Sequence, residues 1–406
     1  MNVRAQQMTI LSAAVVLACC AGAREEQRGT LKVERTTIGD TTIVRTLSGS
    51  VWDGPVTMRE DLAIGTLEGK EEVMFGRIGD IAVDAKGGIY VFDGTVPALR
   101  YYDSTGTYVR TLGAKGAGPG EYQDAVKGLA VRSDGKVVMR DPRNARLNVY
   151  DSSGAPTNSW QVTGGLFVDD AMVLDTADHA FIKILFSRPE PNKPWNIGLL
   201  HLDAQGQYVD SIPSPKIAGE PTDAGGAFSP DKHWAFSPLG YMVVGVNSAY
   251  RFELRHANGA VVRIERETPT VQVLPQERAE YAVRDTWYRK QPWYMSSDVR
   301  PLPTTKPPYS GFLIGRDGRV WVRRHVLAEK LDEARDATSD SPPTPAWIEP
   351  HVYDVFEPDG TFLGEVHVPK NTRLMLVRSE TGWGSRQGDN GALYVVRLRI
   401  DHRTLP

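Results

Sequence analysis

The side chains here that could do chemistry are histidines, acids, cysteines and arginines, and their spacing limits what that chemistry is. Eight histidines (179, 201, 233, 256, 325, 351, 367 and 402) show no His-x-x-x-His pairing. Zinc needs about three or four convergent donors, which separate strands would have to bring together. Asp93 and Asp141 stand 48 residues apart in matching contexts. Calcium takes roughly six to eight oxygens, and aspartates that recur at turns are explained by side-chain bonds to backbone N–H groups. No Gly-x-Ser-x-Gly elbow is present and both cysteines lie at 19 and 20, so neither nucleophile class is supported. Gly113–Gly120 is no phosphate loop, because no Lys-Ser/Thr follows it. What remains is a binding surface. Arg100, Arg140, Arg143, Arg146, Arg251, Arg323 and Arg324 lie on or beside strand-like runs, and Trp195, Trp287, Trp293 and Tyr294 lie between them. Arginine and aromatic residues dominate binding hot spots. The candidate binding residues are therefore Arg100, Arg140, Arg146, Arg251, Arg323, Trp195, Trp287 and Trp293, with no cofactor expected. The competing structural reading pairs these arginines with nearby acids and packs the aromatics onto the scaffold.

The elements that must position these groups repeat. Residues 81–106 read IAVDAKGGIYVFDGTVPALRYYDSTG and residues 129–154 read LAVRSDGKVVMRDPRNARLNVYDSSG, an echo 48 residues apart. Each unit alternates apolar and polar residues in four strand-like runs and carries an Asp-x-x-Gly turn, so a four-stranded propeller blade is the match. Turns at Asp203–Gly206, His256–Gly259 and Glu357–Gly360 extend the rhythm to five blades, and a hairpin from Leu374–Arg378 through a Gly-rich bend to Ala392–Ile400 leaves half a blade. Thr41–Thr46 and Val56–Ile64 are the strand-like runs without partners, so the expectation is an all-β, six-bladed β-propeller closed by N- and C-terminal strands. Insertions break the period at 188–195, 214–232 and Glu277–Arg289, the last with helical spacing, and Leu327–Asp336 is a second short charged helix or a mobile loop. Long connections on a rigid scaffold are where binding surfaces usually lie.

A net charge of −3 gives no basic excess to draw a nucleic-acid backbone. Ile10–Ala18 is apolar, too short to span a bilayer, and shaped like a signal-peptide core. Val16-Leu17-Ala18-Cys19 resembles the bacterial lipoprotein box, which implies cleavage before Cys19 and acylation of its thiol. Ala21-Gly22-Ala23 leaves ordinary secretion, periplasmic or extracellular, as the alternative. The expected organisation is a signal peptide over 1–18, a tether over 19–36 and the propeller over 37–406.

Gly116-Ala-Gly118-Pro119-Gly120-Glu121-Tyr122, followed by a strand, the Asp134-Gly135 turn and Asp141, resembles an NHL-type repeat, and the wider chain is similar to six-bladed propeller lipoproteins of bacterial envelopes. With the binding surface above, the expectation is an exported, lipid-anchored monomer, on the outer membrane of a diderm, that recognises an envelope protein, peptide or glycan. The alternative is a metal-dependent hydrolase or lyase with its site in the central channel.

Overall fold

Local turn chemistry sets the blade. Asp103 Oδ1 accepts the N–H groups of Thr105 and Thr107 at 2.9 and 3.0 Å, and Gly106 takes the left-handed backbone (φ 86°) that closes the turn. Asp151 repeats the arrangement with Ser153 and Ala155, and Asp203 with Gln205 and Gln207. Each such turn joins the third and fourth strands of a blade.

The computed structural model describes residues 30–403 apart from 124–127, 163–165, 168–171, 188–189, 191–194, 223–225, 293, 295–300 and 332–341. The chain is a six-bladed β-propeller. Blade one is Ile78–Val83, Ile89–Asp93, Ala98–Tyr102 and Tyr108–Leu112, and blade two is Leu129–Val131, Val137–Asp141, Arg146–Tyr150 and Pro156–Gln161. Blade three opens with Val173–Leu174 and continues through Ala180–Leu185, Ile197–Leu202 and Tyr208–Pro213. Blade four is Lys232–Phe236, Tyr241–Val246, Arg251–His256 and Val261–Arg266. Blade five is Tyr309–Ile314, Val320–Arg324, Val352–Phe356 and Phe362–His367.

The core is a set of wedges between neighbouring blades. Phe92, Leu99, Tyr122, Val137 and Tyr150 fill the space between blades one and two, and Val243, Phe252, Tyr309, Val322 and Phe356 that between blades four and five. The glycine run is part of this stitching: Tyr150 donates its hydroxyl hydrogen to Gly120 O (2.9 Å), and Tyr122 Oη donates to Leu112 O while accepting Leu99 N–H.

Ring closure differs from the expected half-and-half sharing. Blade six takes three C-terminal strands, Thr372–Arg378, Thr381–Gln387 and Leu393–Asp401, and a single N-terminal one, Val56–Ile64. The Gly-rich stretch is strand because its glycines admit close neighbours: a Cβ on Gly384 would lie 2.1 Å from Arg373 O, and one on Gly382 2.5 Å from Leu374 Cδ1. Thr41–Ser48 instead runs parallel to the outer strand of blade four, from Thr41 opposite Val261 to Thr46 opposite Arg266, with Arg45 bonded to Glu265 at 2.8 Å. Lys32–Ile38 pairs on its far side, so residues 32–36, expected in the tether, are strand. Trp52 N–H then bonds Leu363 O, carrying the chain past blade five to blade six.

The strand directions put every blade-to-blade connection, and the link between the second and third strands of each blade, on one face of the ring. The described residues of the insertions at 186–196, 214–231, 267–308 and 325–351 therefore crown that loop face. Helix α1 (Pro275–Arg289) confirms the helical spacing, with Pro275 at its first position and Glu277 Oε2 accepting Leu274 N–H at 2.9 Å. Within the run expected as a helix or loop at 327–336, Glu329–Lys330 is strand paired with Trp347–Ile348, and 332–336 lie outside the described residues.

Candidate functional site

Two concavities compete for function. The central channel encloses about 170 Å³ and receives residues from every blade: Ile81, Leu129, Leu174, Phe236, Leu313 and Met375 are typical. Its charged lining residues are Lys183 and Arg316, and Arg316 donates to Val131 O at 3.1 Å. Burial, and then the Arg378 charge, hold the Arg316 guanidinium below its ordinary range. No three His, Cys, Asp or Glu residues converge as a metal site among the described residues.

The recurring aspartates serve turns. Asp93, 1% exposed, accepts the N–H groups of Gly76, Arg77 and Thr95 at 3.0–3.1 Å, and Asp141, fully buried, accepts from Asn144 Nδ2 at 2.6 Å.

Most of the sequence-selected binding residues are scattered. Arg100 is buried, donates to Met74 O at 3.0 Å and packs over Phe75. Arg140 is buried within blade two. Arg146 donates to Gly118 O and Glu121 O at 2.6 and 2.9 Å, which fixes the glycine run. Arg251 lies at the outer rim, in the depression between blade four and the first hairpin. Trp195 is exposed, Trp287 packs edge-on against Tyr288 of its own helix, and Trp293 lies outside the described residues. Arg323 alone of the eight lines the loop-face cleft described next.

That cleft, of about 320 Å³, lies among the insertion before blade four, α1 and the blade-five insertion. Its floor is a buried ion cluster. Lys306, with no exposed side-chain surface, donates to Glu277 Oε1 (2.6 Å), Glu349 Oε1 (3.0 Å) and Val326 O (2.9 Å), which uses all three ammonium hydrogens. Both Glu349 oxygens face His325 Nδ1 at 3.0 Å, and Oε2 also accepts Val326 N–H at 3.0 Å. Burial opposes ionisation of Glu349, but the His325 hydrogen bond and the His325 and Lys306 charges outweigh it, so its carboxyl sits below the usual carboxylate range. An ionised carboxylate only accepts, so His325 Nδ1 carries the hydrogen of this bond.

The walls are Phe228, Tyr281, Trp347, Ser310, Arg284 and Arg323. The Phe228 ring meets His325 and Tyr281 edge-on (centroids 5.5 and 5.0 Å) and covers Lys306 at 5.1 Å. Phe228 does this from a left-handed backbone (φ 56°), a conformation that costs a bulky residue roughly 1–2 kcal/mol and that surrounding structure must hold. Burial, then the Glu349 charge, raises the Tyr281 phenol above its ordinary range, so it is a hydrogen donor at neutral pH. Just behind Arg323, burial and the Arg323 charge bring His351 down to about 4, and its Nδ1 is buried without a partner among the described residues.

A structure of a DUF4221-family member from Bacteroides vulgatus shares 11% identity, covers 85% of this chain and 98% of its own, and gives a TM-score of 0.49. A gluconolactonase from Xanthomonas campestris shares 12%, with coverage of 88% and 90% and a TM-score of 0.38, and a catalytically inactive virginiamycin B lyase from Staphylococcus aureus shares 9%, with coverage of 92% and 100% and a TM-score of 0.38. No curated protein sequence matches the chain. Over residues 61–212, which hold blades one to three, the chain is similar to DUF5128, a family of six-bladed β-propellers.

Proposed function

We propose that this protein is an exported propeller, anchored to the cell envelope through a lipid on Cys19, that acts as a monomeric recognition module holding an envelope protein, peptide or glycan in its loop-face cleft. One observation carries the reading: the cleft has aromatic walls, a rigid ion-paired floor and side chains with free hydrogen-bonding capacity, on the face where the insertions gather. Sites of this kind combine apolar walls with a few placed polar groups. The largely apolar lining of the channel supports recognition at the loop face over a hydrolase or lyase centred in the channel. The lipoprotein-like run at 16–19 supports the anchor, and Gly116–Tyr122, which stitches blade one to blade two, supports the NHL-type reading.

Two measurements test this. Cys19→Ser is expected to abolish acyl labelling and release the protein from membranes, and persistent labelling would overturn the anchor. The mature protein, immobilised, is expected to retain one class of envelope component, whether muropeptide, glycan or protein. A Tyr281→Ala/Trp347→Ala variant is expected to retain at least about tenfold less, since truncating hot-spot aromatics costs on this scale. Equal retention by both proteins would overturn the cleft as the recognition site.

A further inference from the structure

The hydrogen-bond inventory of the cleft is lopsided. Among the described residues three carboxylates line it, and both oxygens of each already accept a bond within the protein. Glu277 takes Lys306 and the Leu274 N–H group. Glu280 takes the N–H groups of Ala346 and Trp347 at 3.1 and 3.2 Å. Glu349 takes Lys306, His325 and the Val326 N–H group. On the donor side, the guanidinium groups of Arg284 and Arg323 line the same cavity and make no hydrogen bond or ion pair with any described residue. The Tyr281 hydroxyl is a further donor.

A ligand entering this cleft meets free donors and two unpaired guanidinium groups, and among the described residues each carboxylate oxygen of the lining already has a partner. From this placement we infer that the cleft binds an oxyanion group of its ligand, a carboxylate or a phosphate, with Arg323 and Arg284 as the counter-charge and the rings of Tyr281, Phe228 and Trp347 against the rest of the molecule. Guanidinium groups match both anions through paired N–H donors. His351, beside Arg323, is held below its ordinary range by burial first and then by the Arg323 charge. The buried Lys306 is shared by Glu277 and Glu349, and Glu280 is held by two backbone N–H groups, so the acids engage partners other than the wall arginines. The inference rests on the recognition reading and names the chemistry recognised.

Calorimetric titration of the mature protein with trigalacturonate, inorganic phosphate and neutral maltotriose tests it. At least one anionic probe is expected to bind at least about tenfold more tightly than maltotriose, and more weakly as salt rises. The Arg284→Ala/Arg323→Ala variant, with an unchanged melting transition, is expected to lose at least about tenfold in that affinity. Preference for trigalacturonate would identify a carboxylate, and preference for phosphate a phosphoryl group. Anion binding that survives in the double variant would overturn the proposal, as would failure of both anions to bind. Neutral components retained through Tyr281 and Trp347 without any response to anions would leave recognition standing and overturn the oxyanion. Failure of that retention too would overturn both.

Discussion

Blades one and two and the loop face of blades four and five contain the same side-chain types arranged to opposite ends. In blades one and two, Asp93 and Arg100 close on each other (3.5 Å) and on backbone groups, and Arg146 is bound to three carbonyls of the glycine run. In the cleft, Lys306 engages the acids from below, leaving Arg284 and Arg323 available to a ligand. A recurring charged residue in a repeat array thus reports the array, and one whose partners have been taken by something else reports a site.

The sharpest break of that comparison is Lys306→Met. It leaves Glu277 and Glu349 buried without their shared cation, and breaking a buried pair from one side costs about 3–5 kcal/mol. Urea denaturation is expected to show a loss of that order, with α1 and the blade-five insertion most exposed to proteolysis. A loss within about 0.5 kcal/mol, the range of ordinary surface substitutions, would mean that the cluster does not organise the cleft.

The rhythm of the ring was legible because Asp-x-x-Gly turns and alternating strands are local signals, and six blades follow from counting them. The closure was less so. Gly382 and Gly384 look like a bend in one dimension, whereas they mark close approach of Leu374 and Arg373. Thr41–Thr46 and Val56–Ile64 are equally strand-like, and only three-dimensional pairing assigns them to blades four and six. The insertions are legible as breaks in the period, yet of the selected residues Arg323 alone lines the cleft. Its floor joins Glu277 to Lys306 across 29 residues and His325 to Glu349 across 24, spacings that no motif encodes. The available signal was indirect: His325 directly follows Arg323-Arg324 at the end of a strand that opens into the blade-five insertion.

A second, smaller effect separates the two regions by pH. His351 is held neutral, with its value lowered to about 4 by burial and then by Arg323. The unfolded chain takes up a proton near pH 6.5 that the fold refuses, so stability is full above that value and falls as pH drops from 6.5 toward 4. The expected loss is on the order of 2–3 kcal/mol. Glu349 adds to it at lower pH. Its lowered value makes its contribution complete above the ordinary carboxylate range and lost as pH falls through its folded value. His351→Asn is expected to flatten the decline between pH 6.5 and 4 in stability measured by denaturant titration. A slope identical to that of the parent would show that His351 is protonated in the fold, and would remove the positive field from the argument for the cleft.

The smallest expected effect decides the comparison, because it contrasts two arginines that one sequence argument had placed together. Arg100→Ala removes a buried guanidinium from Met74 O and Asp93, and leaving such groups unsatisfied costs about 1–3 kcal/mol. Arg323→Ala removes a group that bonds nothing described in the free protein and relieves its repulsion on a proton at His351, so stability is expected to change by less than about 0.5 kcal/mol. Parallel urea titrations of the two variants at pH 7 measure the contrast. Equal losses would make Arg323 a scaffold residue like Arg100 and erase the distinction between the two regions. A loss confined to Arg100→Ala would mean that the Arg323 guanidinium is held at the cleft without contributing to the fold, as a group that awaits a ligand must be.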